Sequence, residues 1–366
     1  MIQPTAQAPQ ELWPIVWGLA TAKPWPPQDG DALEPFFDYA RRENLLPLLL
    51  AADGLPAPIA AATSRYRPFA ALYRKRYELV REALPQFTRL AGDGTFLFYK
   101  GADFCHRLYA RPELRPMADV DVLVPGGAFE AVLARFAHEG FERKRGTHGS
   151  SFSPDHHETS IMIGEVHVEI HRWFAQKVRT AIDYDALWGR REPFEADGIS
   201  GMRLCGPDAL LAQAYELAKD EFSSALIRYV DFYLLVRNQI EALPLCVERA
   251  QEWGIERALF GALFLTARLF PSLQLPQVTR ATNELLTPHQ RAYLKNHVLP
   301  DPAIEASNHA SGRLRQIKRK FLLMDSNWRR LAFIGFAAQQ EIKGSFHEWR
   351  ARRAGANLPP RWRRRG

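Results

Sequence analysis

The chain has 366 residues, 46% hydrophobic and 24% charged, enough for a large core in one unit or two domains. Its formal net charge of +7 sits at one end: from Arg350 onward there are seven arginines and no acid, and the remainder is neutral on balance, so the basicity does not mark the folded body as a polyanion binder. No run approaches the roughly 18–20 apolar residues that cross a bilayer, the opening MIQPTAQAPQELWP lacks the pattern of a signal peptide, and Cys105, Cys205 and Cys246 form no CxxC pair, which argues against a membrane span, a disulfide framework and a zinc ribbon and predicts a cytoplasmic protein.

Residues 11–90 read as helical. Apolar residues recur at helical spacing over Leu33–Leu50 and Tyr66–Leu90, and the clusters Pro24–Pro27 and Gly54–Pro58 separate the segments. The pattern changes after Gly92–Gly94. Thr95–Tyr99 reads as a short strand, Ala102–Tyr109 as a helix, Arg111–Pro116 as a loop and Asp119–Val124 as a strand. A helix at Ala128–His138 and a strand at Phe141–Lys144 follow. Thr159–Ile163 and Val166–Ile170 flank Gly164-Glu165 as a β-hairpin. The order β-α-β-α-β-β-β predicts an α+β protein whose α/β core is a small mixed sheet with helices on it. From about Pro207 the chain returns to helix, over Asp208–Lys219, Ser224–Ile240, Leu243–Trp253 and Ile255–Phe270, with interruptions at Pro271–Pro276 and Pro300–Pro302. Arg313–Phe346 reads as one or two further helices, the first of them basic. The predicted layout is an N-terminal helical segment at 1–91, a core at 92–200, a C-terminal helical domain at 201–349 and a basic, disordered tail at 350–366.

The chemistry gathers in the core. Side chains alternate faces along a strand, so Asp119 and Asp121 point one way while Val120, Val122 and Val124 pack on the other. Carboxylates spaced about 6.6 Å apart along a strand can converge on metal ions, and hard oxygen ligands suit Mg²⁺ or Mn²⁺. An Asp-x-Asp triplet alone is weak evidence, and its surroundings strengthen it. Upstream, Lys100-Gly101 stands where a strand hands over to a helix, a place where backbone amides can approach a phosphate. Downstream, Glu165–His171 is a second alternating run with His167, Glu169 and His171 on one face, able to supply a third carboxylate.

These residues resemble a known family. The pattern Lys100-Gly101, Tyr109-Ala110-Arg111-Pro112-Glu113-Leu114-Arg115-Pro116-Met117-Ala118-Asp119-Val120-Asp121, His156-His157-Glu158 and Glu169-Ile170-His171-Arg172-Trp173 is similar to that of uncharacterised bacterial nucleotidyltransferases of the DNA polymerase beta-like superfamily. The likeness covers Phe96–Trp173 and extends more loosely to Leu226–Asp231. It implies a nucleotidyltransferase fold, with Asp119 and Asp121 as metal ligands, Glu169 as the third acid, and Lys100-Gly101 on the triphosphate. The chain departs from the wider pattern in two places: Lys-Gly stands for the superfamily's Gly-Ser turn, and Glu169 stands where Asp is more frequent.

Other residues have competing readings. Arg115 either touches a phosphate or orients its loop through a salt bridge, and Arg228 and Asp231, three apart on a helix, suggest a local ion pair. His156, His157, His167 and His171 invite a zinc reading, but strand spacing holds the imidazoles apart and no HExxH helix supports them. Support of the site, or contact with nucleotide phosphate, is the expected use of His171. The combined expectation is a transferase that moves an NMP group from an NTP, ATP first among them, to an unidentified acceptor. The alternative is a non-catalytic protein of the same fold that binds nucleic acid through its basic C-terminal end.

Overall fold

The computed structural model of the protein describes residues 9–27, 33–92, 94–142, 158–175, 178–299 and 321–331. His156-His157, the second half of the strand expected at Phe141–Lys144, the basic helix from Arg313 to Lys320 and the Arg-rich tail lie outside these residues. Phe141 and Glu142, which are described, are not strand.

Four helices come first: α1 (Leu12–Thr21), α2 (Leu33–Arg42), α3 (Leu46–Leu50) and the long α4 (Ala57–Ala91). α4 starts nine residues before the expected Tyr66, because Pro56 and Pro58 begin a helix instead of ending one: the first turn has no use for their missing N–H groups. The core follows as β1 (Leu97–Phe98), α5 (Gly101–Arg107), β2 (Val120–Leu123), α6 (Phe129–His138), β3 (Glu158–Ile163), β4 (Val166–His171), α7 (Tyr184–Gly189), β5 (Glu192–Ala196) and β6 (Ile199–Arg203). The rest is helical: α8 (Gly206–Lys219), α9 (Leu226–Asn238), α10 (Leu243–Trp253), α11 (Glu256–Leu269), α12 (Pro276–Leu285) and α13 (Pro288–His297). The fold is thus α+β, and no helix among the described residues is long and apolar enough to cross a membrane.

The six strands form one mixed sheet in the order β3-β4-β2-β1-β6-β5, with β2–β4 and β1–β6 parallel and the other pairs antiparallel. Three elements depart from expectation. The β5–β6 hairpin was not foreseen, and it carries the sheet to Arg203, past the expected boundary at 200. Its turn, Asp197-Gly198, has positive φ at both residues, the geometry that suits a tight hairpin. α12 and α13 were likewise not foreseen. Each starts with proline in its first turn, and Thr287 with Gln290 forms a capping box on α13.

The sheet separates two cores. Val120, Val122, Val124, Val166, Val168 and Ile170 pack on one face with Phe87 of α4 and Phe136 of α6. Leu97 and Leu123 face the other way, toward a larger core built with α1–α3 and α8–α11. α8 is buried over most of its length, its polar Asp208, Gln213 and Glu216 included.

A buried ion pair ties the core to the C-terminal helices. Arg115 donates from Nη2 to Asp231 Oδ2 at 2.7 Å and from Nε to the same oxygen at 3.1 Å, and the Tyr109 hydroxyl donates to Asp231 Oδ1 at 2.6 Å. Asp231 therefore does not pair with Arg228, which binds Asp220 instead. At three residues' spacing Arg228 lies beside Asp231 in sequence, but Asp231 is on the buried side of α9 and Arg228 reaches out. Because removing one partner strands a buried charge, Asp231→Asn should destabilise the protein by about 3–5 kcal/mol in denaturant unfolding. Asp38→Asn, which breaks the exposed Arg41–Asp38 contact at 3.5 Å, should change it by less than about 1 kcal/mol.

Candidate active site

The site lies on the sheet face that meets α8. The parallel register sets Asp121 opposite Glu169 and Leu123 opposite His171. Since alternate residues share a face, Glu169 and His171 rise beside Asp121 while the valines of both strands go down into the smaller core. Asp119 immediately precedes β2, at the end of a loop held from α4. Arg76 donates to the carbonyls of Met117 at 3.4 Å and Ala118 at 2.6 Å, and to that of Glu165 in the β3–β4 turn at 3.0 Å. One guanidinium thus fixes both backbone segments that flank the acids.

Lys100 enters from the start of α5 with φ +53° and ψ −133°, in the left-handed half of conformational space that glycine prefers. A lysine held there stores strain of order 1–3 kcal/mol, which persists only where surrounding contacts fix it. They do: Nζ donates to Asp121 Oδ1 at 2.8 Å and lies 3.5 Å from Glu216 Oε2 of α8. Gly101 follows because there is no room for more. A Cβ there would come within 2.9 Å of Met117 Cγ and 3.3 Å of Arg115 Nη1. The buried Gly101 is therefore a packing requirement of the loop that delivers Asp119. Arg115, with Asp231 and the Pro116 carbonyl as its partners, sits behind this loop.

His171 Nε2 lies 2.9 Å from Asp121 Oδ1 and 3.5 Å from Glu169 Oε2, while Nδ1 is 3.6 Å from Glu158 Oε2. A carboxylate only accepts, so the imidazole donates to Asp121. His167 Nδ1 is 3.9 Å from Glu169 Oε1. The charges respond to this crowding. Burial pushes the Asp121 carboxyl up, but the Lys100 ammonium and the His171 hydrogen bond outweigh it and hold the group far below the usual carboxylate range. Glu169 is held down by its hydrogen bond from His171. In return, although burial works to lower His171, its bonds to Asp121 and Glu169 raise it. Asp119 alone of the three acids is pushed up, by burial first and then by the charges of Asp121 and Glu169.

The residues fit a divalent cation. Ligand atoms of Asp119, His167 and Glu169 lie within 4.8 Å of one another, as do those of Asp121, Glu169 and His171, and Glu169 belongs to both groups. Carboxylate oxygens joined by imidazole nitrogen suit Mg²⁺ and, better for the nitrogen, Mn²⁺. The like charges that raise Asp119 are what a cation would relieve.

Of the residues predicted from sequence, the structure gathers Asp119, Asp121, Glu169, His171, His167 and Lys100, and places Gly101 and Arg115 behind them. Sequence reasoning missed Glu216 and Arg76. The signal for Glu216 was available: it is an acid inside an apolar helix, two per cent exposed, where a charge requires a partner. Arg76 offered none, since an arginine on a helix is ordinary.

Among known proteins, no curated protein and no solved structure gives a significant match. A family model described as "Uncharacterised nucleotidyltransferase" matches residues 30–271, well over half the chain and all of the acids, basic residues and helices that build the site. With the paired acids, the second acidic strand and that match in agreement, this chain belongs to the family of uncharacterised nucleotidyltransferases.

Proposed function

We propose that the protein transfers an NMP group from an NTP, ATP first among them, to an acceptor nucleophile and releases pyrophosphate, using Mg²⁺ or Mn²⁺ held by Asp119, Asp121 and Glu169. The observation that carries the reading is the convergence of these three acids, from two parallel strands and the loop that leads into one of them, near a strained lysine. Divalent ions held by these acids would supply electrostatic stabilisation of the attacking and leaving oxygens of an in-line displacement. The new bond joins the acceptor atom to the α-phosphorus, and the bond from that phosphorus to the bridging oxygen breaks. Glu169, which is partly exposed, accepts the acceptor's proton. Lys100 and the amide at Gly101 carry the charge of the β- and γ-phosphates, and His171 fixes the orientation of Asp121. The acceptor enters between the sheet and the C-terminal helices, where clefts between structural units commonly hold substrates.

Calorimetry of ATP binding to the full chain, with and without Mg²⁺, tests this directly. Wild type should bind in a metal-dependent manner, and the Asp119→Asn/Asp121→Asn variant should lose that binding. A folded wild type that binds no NTP in either condition would sink the proposal. Transfer of label from α-labelled ATP then identifies acceptors. Arg76 makes a further expectation. Arg76→Met frees the carbonyls of Met117 and Ala118, and should weaken Mg²⁺-dependent nucleotide binding by about 10–100-fold, the usual cost of losing a residue that orients metal ligands. Arg81→Met, on the same helix, should leave the isotherm as in wild type.

A further inference from the structure

Glu216 has no task in the transfer just described, yet it is the most deeply buried acid at the site. Its Oε1 accepts from Lys219 Nζ at 3.0 Å. Its Oε2 lies 2.8 Å from Lys219 Nζ and 3.5 Å from Lys100 Nζ, and makes no well-formed hydrogen bond. The buried hydroxyl of Tyr99, whose ring lies 5.0 Å from Lys100 Nζ, is also without a hydrogen-bond partner. Lys219 thus already pairs with Glu216, and the Lys100 ammonium, with its three donors, stands beside an oxygen of that carboxylate whose bonding is poorly formed. On the other side of that ammonium the opposite holds. Asp121 Oδ1 accepts from Lys100 and from His171, which uses both its lone pairs. A cation that comes to this carboxylate therefore has only Oδ2 free of such bonds, and it meets the positive charge of Lys100 beside it while Lys100 stays where it is.

We propose that Lys100 is a displaceable internal cation, which occupies Asp121 until a divalent ion takes that carboxylate and then, before a nucleotide arrives to draw it to its phosphates, moves to Glu216 as its second seat. The inference rests on the metal-binding reading above and adds to it a competition inside the protein. Without a divalent ion, the ammonium neutralises Asp121 and keeps the acids together. With one, the same ammonium goes to a buried carboxylate already in reach, which it then shares with Lys219. Lysine suits such a role better than arginine, because its charge is compact and its four-carbon stem turns freely. The position of Nζ fits the same picture, since it already lies 2.8 Å from Asp121 Oδ1 and 3.5 Å from Glu216 Oε2.

The test is titration of the full chain with Mn²⁺ in the absence of nucleotide, followed by calorimetry and by the electron paramagnetic resonance of free Mn²⁺. Lys100→Met removes the competitor and should tighten Mn²⁺ binding by about tenfold, the worth of one charge-assisted hydrogen bond. Glu216→Gln removes the second seat and should weaken binding by about tenfold. The double variant decides between this and simple charge effects. If Glu216 acts through Lys100, the double variant binds as tightly as Lys100→Met alone. If Glu216 only attracts cations, its loss weakens binding equally in both backgrounds, and the proposal falls. It also falls if the two single variants shift affinity in the same direction or not at all. Circular dichroism and the Mn²⁺-induced shift in Tm confirm that each variant is folded. Asp121→Asn keeps the two readings apart. Mn²⁺ binding that wild type shows and Asp121→Asn loses, without the opposed shifts, overturns only the displacement. No Mn²⁺ binding by wild type or by Lys100→Met overturns the metal site as well.

Discussion

The parallel pairing of β2 with β4 is the constraint on which the rest of the site depends. Parallel neighbours cannot be joined by a tight turn, and here the chain leaves β2 through α6 and returns along β3 before entering β4. The pairing is then fixed by what lies beneath it. Val120, Val122, Val166, Val168 and Ile170 must all face the core shared with α4 and α6, and with a side-chain period of two this sends Asp121, Glu169 and His171 to the opposite face. A slip of one residue would put Glu169 among phenylalanines and leave Val168 and Ile170 at the site. The apolar face therefore enforces the geometry of the polar one, and the cost of burying a charge keeps three potential ligands together.

Collecting acids in this way has an electrostatic price, met in two ways. Asp121 is satisfied inside the protein, by Lys100 and His171, and stays ionised although buried. Asp119 is instead pushed up, by burial and by the charges of Asp121 and Glu169. The asymmetry follows from position. Asp121 is inside the strand with a helix above it, whereas Asp119 is at the end of a loop and partly open to solvent. The cluster is thus partly neutralised and partly left wanting positive charge, a condition suited to reversible cation binding and to the triphosphate that would arrive with the cation.

How much of this could be read in the sequence depended on whether a feature was local. Strand alternation put Asp119 and Asp121 on one side and the valines on the other, as the structure has it, and the hairpin around Gly164-Glu165 followed from the same rule. The β5–β6 hairpin carried an equally good signal in Asp197-Gly198, but Pro193 and Gly201 interrupt the apolar pattern of its strands and hid it. Gly201 is there because a Cβ would come within 2.9 Å of the Phe98 ring, a contact between strands far apart in sequence. The partner of Asp231 was misread for the same reason. Spacing on a helix favoured Arg228, whereas Arg115, 116 residues away, holds it through the fold. Arg76, reaching carbonyls 41, 42 and 89 residues on, is the extreme case.

Those distant contacts change what the flanking helices are for. The loop from Tyr109 to Asp119 is fastened at one end to α9, through Tyr109 and Arg115 on Asp231, and at the other to α4, through Arg76 on Met117 and Ala118. Between the two fastenings Met117 packs on Gly101, next to Lys100. Asp119 is thus positioned by helices that precede the core in sequence and by helices that follow it, and Lys100 faces a carboxylate, Glu216, that only the latter supply. An isolated sheet with its own three helices, α5–α7, would hold Asp121 and Glu169 in register and still lack the means to fix Asp119 or to balance Lys100. The helical layers act less as a jacket than as the outer half of the site, and they explain why a chain with so small a sheet carries so much helix around it.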